Sequence, residues 1–122
     1  MSSPIQSTPV DASRLHELRD LFGDDAEIAS LYQEFFVELP DRMSFLTTSL
    51  RNGMPEGIER TAHAISGSSG SLGAMCVHRA AKSLEEKARM GEVDHLEDLM
   101  VLLQTELDRL RSYLKQEGLL GE

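Results

Sequence analysis

The chain has no tryptophan, only six other aromatic residues, a single cysteine, and far fewer basic side chains than acidic ones. Each shortage narrows what the protein can be. Cys76 alone cannot build an internal disulfide framework, a usage that fits a reducing compartment. With 12 Lys and Arg against 21 Asp and Glu, the net charge of -9 disfavours binding to nucleic acid or to an anionic membrane surface. No apolar run is long enough for a membrane span, and the N-terminus lacks the charged and apolar blocks of a secretory signal. No membrane insertion is therefore expected, and the cytoplasm is the expected location.

What is present is helical periodicity in a chain of single-domain length, 122 residues. Residues 1–10 are rich in Ser, Thr and Pro without apolar spacing and read as a flexible N-terminal segment, leaving 11–122 as the domain. Asp11 or Ser13 can cap a short helix carrying Leu15, Leu18 and Phe22, stopped by Gly23. From Asp24 a long stripe of Ile28, Leu31, Tyr32, Phe35, Phe36, Leu39, Met43, Leu46 and Leu50 predicts a helix kinked at Pro40. Pro55 opens a third helix, which ends at Gly73. The fourth runs from about Met75 to Gly91, and the last from about Val93 to Glu117. The spacing predicts an all-α fold, an antiparallel four-helix bundle with an additional short N-terminal helix.

One stretch departs from an ordinary amphipathic helix. Thr61 to Ala74 is small, polar and glycine-rich, although Ile58, Ala62, Ile65, Ser69 and Leu72 keep an apolar face. His63 falls with Ser66, Gly67 and Gly70 on the other face, where no bulky side chain covers the imidazole. A glycine inside a helix costs roughly 1 kcal/mol relative to alanine, so two here imply close approach of another molecule.

This pattern, an exposed histidine followed by Gly67, a pair of small residues and Leu72-Gly73-Ala74, resembles the signature of the histidine-containing phosphotransfer (HPt) domains of multistep two-component signalling. Leu84-Glu85-Glu86 and Leu39-Pro40 add weaker support, and the resemblance spans about Leu15 to Leu114. It implies the same helical bundle, phosphorylation on Nε2 of His63, and partners that are response-regulator receiver domains or a hybrid sensor histidine kinase. It also implies that the partner receiver supplies the aspartate, a lysine and Mg²⁺, so that this chain needs no intrinsic cofactor and no metal ligands. A monomeric carrier is expected, free-standing or as the cytoplasmic portion of a membrane-bound hybrid kinase.

Histidine suits such a relay because its ordinary pKa of about 6.5 leaves the imidazole largely neutral near pH 7. An acyl phosphate is already reactive, so attack on it demands positioning and charge neutralisation more than activation. Gly67, one turn beyond His63, leaves room for the partner and the phosphoryl group. Family members commonly carry lysine three residues after the histidine, and this chain has Ser66, which can donate a hydrogen bond but not a charge. Arg60 is the first candidate to compensate, with Lys82 or Arg79 able to reach over from the next helix. Gly70, Glu59 and Lys82 complete the expected docking surface, and Glu59 is a candidate to orient the His63 ring. His78 and His95 are expected to be structural or solvated, and Cys76 to be a small packing residue.

Other functions fit less well. Di-iron bundles require Glu-x-x-His on two helices, and only Glu92 to His95 has that spacing. There is no G-x-x-x-x-G-K-[ST] loop for an autonomous kinase and no plausible triad around Ser68 or Ser69 for a hydrolase. The remaining alternative is a regulatory bundle that docks a receiver or sensor kinase independently of phosphorylation.

Overall fold

A computed structural model describes residues 8–92 and 94–121. Its helices are α1 (Ala12–Phe22), α2 (Asp25–Arg51), α3 (Pro55–Ser71), α4 (Met75–Arg89) and α5 (Leu96–Gln116), and no strand occurs among the described residues. Helices adjacent in sequence pack against each other, α3 most closely on α4, giving the expected helical bundle with α1 lying over one end.

The local chemistry explains these limits. Asp11 and Asp24 cap α1 and α2 by accepting from the amides of Ser13 and Ala26 at 2.9 and 2.7 Å. Pro55 begins α3, where its missing N–H is not needed. Pro40 lies within α2, which nevertheless continues unbroken to Arg51. The start of α5 is Leu96 rather than Val93, which lies outside the described residues; His95 precedes it as the N-cap with a left-handed backbone, φ 72°.

Burial follows the apolar stripes. Ile28, Tyr32, Phe36 and Leu46 of α2 meet Ile58, Ala62 and Ile65 of α3, Val77, Ala81 and Leu84 of α4, and Leu103, Leu107, Leu110 and Leu114 of α5 in one core. The facing surfaces of α3 and α4 are largely Ala, Ser and Gly, and such small side chains let two helix backbones approach. Ser69 is buried there without penalty because its hydroxyl donates to the Ile65 carbonyl at 2.7 Å.

The α3–α4 turn also anchors the N-terminal part of the chain. Asp11 N–H donates to the Gly73 carbonyl at 2.8 Å, and Arg14 Nε to the Ser71 carbonyl at 2.9 Å. Gly73 is left-handed, φ 74°, and a Cβ there would lie 2.7 Å from Arg14 Cγ, so both conformation and space call for glycine. Val10, placed by its sequence in the flexible lead-in, is fully buried, so the ordered domain starts before residue 11. Residues 1–7 of that segment lie outside the described ones.

Tyr32 ties the long helix to the same turn, its hydroxyl donating to the Leu72 carbonyl at 2.9 Å. Burial, reinforced by neighbouring Tyr113, pushes its pKa from 10.0 up to about 12. The unfolded chain therefore loses this proton at lower pH than the folded one. The stabilisation is complete below pH 10 and is lost as pH rises toward about 12. Denaturant unfolding of Tyr32→Phe across this range should show a shallower alkaline fall in stability than wild type. At neutral pH the substitution should cost about 1 kcal/mol for the lost hydrogen bond.

Candidate functional site

His63 stands midway along α3 with 71% of its side chain exposed, as its place opposite Ile58, Ala62 and Ile65 requires. Its ring is nevertheless held. Nδ1 lies 2.9 Å from Oε2 of Glu85, which α4 brings in from the facing helix. A carboxylate can only accept, so Nδ1 carries a proton, and in the neutral ring Nε2 keeps the lone pair.

Glu85 is the unusual residue. Its side chain is only 5% exposed, in line with Ala81 and Ala88 on the buried face of α4. Arg89 Nη2 donates to the same Oε2 at 2.9 Å, and Lys82 Nζ stands 4.0 Å from Oε1, which has no hydrogen-bond partner among the described residues. A buried carboxylate is costly unless compensated. Here the histidine, the guanidinium and the nearby ammonium supply that compensation. Beside His63 is a cavity of 450 Å³ lined by Glu56, Glu59, Arg60, His63 and Glu85.

Three of the residues singled out in the sequence are placed as follows. Arg60 lines the cavity with His63 and makes no ion pair among the described residues. Gly67 has open space where a Cβ would stand, which excludes helix-helix packing as its reason. His78 is structural, its Nδ1–H donating to the Ser66 carbonyl at 2.8 Å.

Other expectations are corrected. Ser66 does not sit on the exposed face: it is buried against α4, with its Oγ 3.2 Å from Nδ1 of His78. Gly70 leaves space for His78, whose Nδ1 would be 3.0 Å from an added Cβ, rather than for a partner. Glu59 does not orient His63; it accepts from Arg89 Nε at 3.3 Å, and Glu85 holds the ring instead. Arg79 faces away from the site, its Nη2 lying 3.7 Å from Cys76 Sγ in a groove between α4 and α5. Glu92 pairs with Lys87, and exposed His95 lies near Asp98, so the Glu-x-x-His spacing brings no ligands together.

The Glu85 pairing carries an immediate prediction. Glu85→Gln keeps an oxygen that can accept from Nδ1 but removes the charge that offsets a developing imidazolium. For a phosphoryl group taken up at His63, as the family resemblance implies, acceptance should slow roughly 10-fold, about 1.4 kcal/mol of barrier. Rapid-quench labelling should detect it, and stability should change little because a buried carboxylate is removed along with its partners' attraction.

Comparison with known proteins gives the family. The sequence pattern of the Hpt domain matches residues 30–113. The fold is similar to the crystal structure of histidine-containing phosphotransfer protein B (HptB) from Pseudomonas aeruginosa PAO1, with a TM-score of 0.84 and 28% identity over 92% of this chain and 96% of that one. No curated protein sequence gives a match. The chain belongs to the Hpt domain family and is a histidine phosphotransfer protein of the two-component phosphorelay type. No helix among the described residues is long and apolar enough to cross a membrane.

Proposed function

We propose that this protein accepts a phosphoryl group on Nε2 of His63 from the phosphorylated aspartate of a receiver domain and passes it to another receiver. The single observation behind this choice of atom is the His63–Glu85 pair, an exposed imidazole whose inner nitrogen is bonded to a buried carboxylate. Nε2 is then the free nucleophile, on a ring whose side chain is 71% exposed.

In the forward step the Nε2 lone pair attacks phosphorus, the N–P bond forms, and the P–O bond to the receiver carboxylate breaks with its electrons going to that carboxylate. Nδ1 keeps its proton as the ring gains positive charge, and Glu85, 2.9 Å away, offsets that charge. Reversal onto a second receiver uses the same contacts. This chain supplies the nucleophile and its orientation, while the receiver supplies the aspartate, a lysine and Mg²⁺. No autonomous kinase activity is required of it. The carrier acts as a monomer in the cytoplasm, either free or as part of a hybrid sensor kinase, and needs no intrinsic cofactor.

The test is to incubate the full chain with a panel of phosphorylated receivers and follow acid-labile, alkali-stable phosphate. Peptide mapping should place the label at residue 63 and nowhere else. Receivers that bind without ever transferring would instead establish the phosphorylation-independent docking bundle.

A further inference from the structure

With Ser66 turned inward, α3 offers no cation at the position where family members commonly carry lysine. Phosphorylation would nevertheless put about two negative charges on a protein whose net charge is already -9. Four basic side chains come into question. Arg79 is directed to Cys76 on the far side of α4. Arg89 is held between two carboxylates, Glu59 at 3.3 Å and Glu85 at 2.9 Å. Arg60 lines the cavity with His63, but Glu56, Glu59 and Glu85 in the same lining offset its charge.

Lys82 is placed differently. On α4 it lies between Glu85, which is bonded to His63, and His78, which is bonded to Ser66. Spacings of three and four residues put all three on one side of that helix, so Lys82 stands level with the span from His63 to Ser66. Its side chain is half-exposed, and its nearest anion among the described residues, Glu85 Oε1, is at 4.0 Å, a distance too long for a hydrogen bond. A flexible four-carbon stem allows that ammonium to leave one oxygen for another at little cost.

We infer that Lys82 is the residue that contacts and neutralises the phosphoryl group on His63, supplying from α4 the cation that the Ser66 position of α3 lacks. This rests on His63 being the acceptor. Lys82 takes no covalent part: its N–H groups donate to phosphoryl oxygens while the N–P bond forms and breaks. The buried carboxylate that orients the nucleophile thereby also stations the cation beside it.

Phosphoramidate, a small phosphoryl donor, allows the test without a partner. The full-length wild type, Lys82→Met, Lys82→Arg and Lys82→Met with Ser66→Lys are each labelled with phosphoramidate and with a phosphorylated receiver. Lys82→Met should slow both reactions about 10-fold. Lys82→Arg should stay within about threefold of wild type, and added Ser66→Lys should recover most of the lost rate because a lysine there can extend its charged end outward. Equal phosphoramidate rates for wild type and Lys82→Met would overturn the inference. Loss confined to the receiver reaction would likewise overturn it, making Lys82 a docking residue. Absence of label from the wild type would overturn the reading of His63 and this inference with it.

Discussion

His63→Gln should take up no acid-labile phosphate from any receiver, and it should unfold at the same denaturant midpoint as wild type. The chemical half of this expectation is absolute, because an amide nitrogen has no lone pair available to attack phosphorus. The structural half depends on Glu85. That carboxylate is almost fully buried and draws two hydrogen bonds, from His63 and Arg89. The glutamine amide can donate in place of Nδ1–H, so the buried charge keeps both donors. His63→Ala should behave differently, removing one donor and leaving Arg89 as the remaining hydrogen-bond donor to Glu85, with the Lys82 ammonium 4.0 Å away. A cost of about 1–3 kcal/mol is expected from the weakened carboxylate, although 71% of the deleted ring faced solvent. Parallel urea titrations and phosphate assays of the two variants would separate loss of the nucleophile from loss of the carboxylate's partner. If His63→Gln were still labelled, the acceptor would be elsewhere.

The contrast between these variants also shows what could be read from residue order. Helix limits were legible because they are local: Asp11 and Asp24 cap through amides two residues ahead, Pro55 fixes one start, and Gly73 closes α3. The exposure of His63 was legible for the same reason, since spacing along one helix fixes which residues share its face. Ser66 was misplaced because it lies about 60° around the helix from His63, on the border between faces, and only the position of α4 decides which side it joins. The hydrogen bond between His63 and Glu85 joins residues 22 positions apart, and no periodicity specifies such a pair.

A signal for Glu85 did exist. It falls four residues after Ala81 and three before Ala88, so it is an acidic side chain in the apolar row of α4. A carboxylate in such a row must be compensated, and the polar residues of the facing helix, His63 among them, were the candidates. Gly70 resisted reading for a related reason. Its missing side chain is filled by His78 from the other helix, and from sequence a glycine that admits a neighbour cannot be told from one that admits a partner.

Gly67 separates those two possibilities experimentally. Apart from its own helix backbone, no described atom lies within 4 Å of where its Cβ would stand, so an added methyl group meets open space. Gly67→Ala should therefore stabilise the fold by about 1 kcal/mol, the ordinary gain from replacing glycine inside a helix. Gly67→Leu should be at least as stable as wild type. Both should nonetheless transfer phosphate poorly from a receiver, because the added side chain occupies space one turn from His63 that the partner needs. The leucine variant should be slower by about 100-fold, on the order of 3 kcal/mol, with alanine intermediate. Phosphoramidate is small enough to bypass the obstruction, so its rate should remain within a few-fold of wild type in both. A fold that grows more stable while only the partner-dependent reaction fails is the signature of a glycine kept for approach. Unchanged receiver transfer in Gly67→Leu would place the approaching surface on another side of His63. Equal losses with both donors would mean that the added side chain disturbs the imidazole itself.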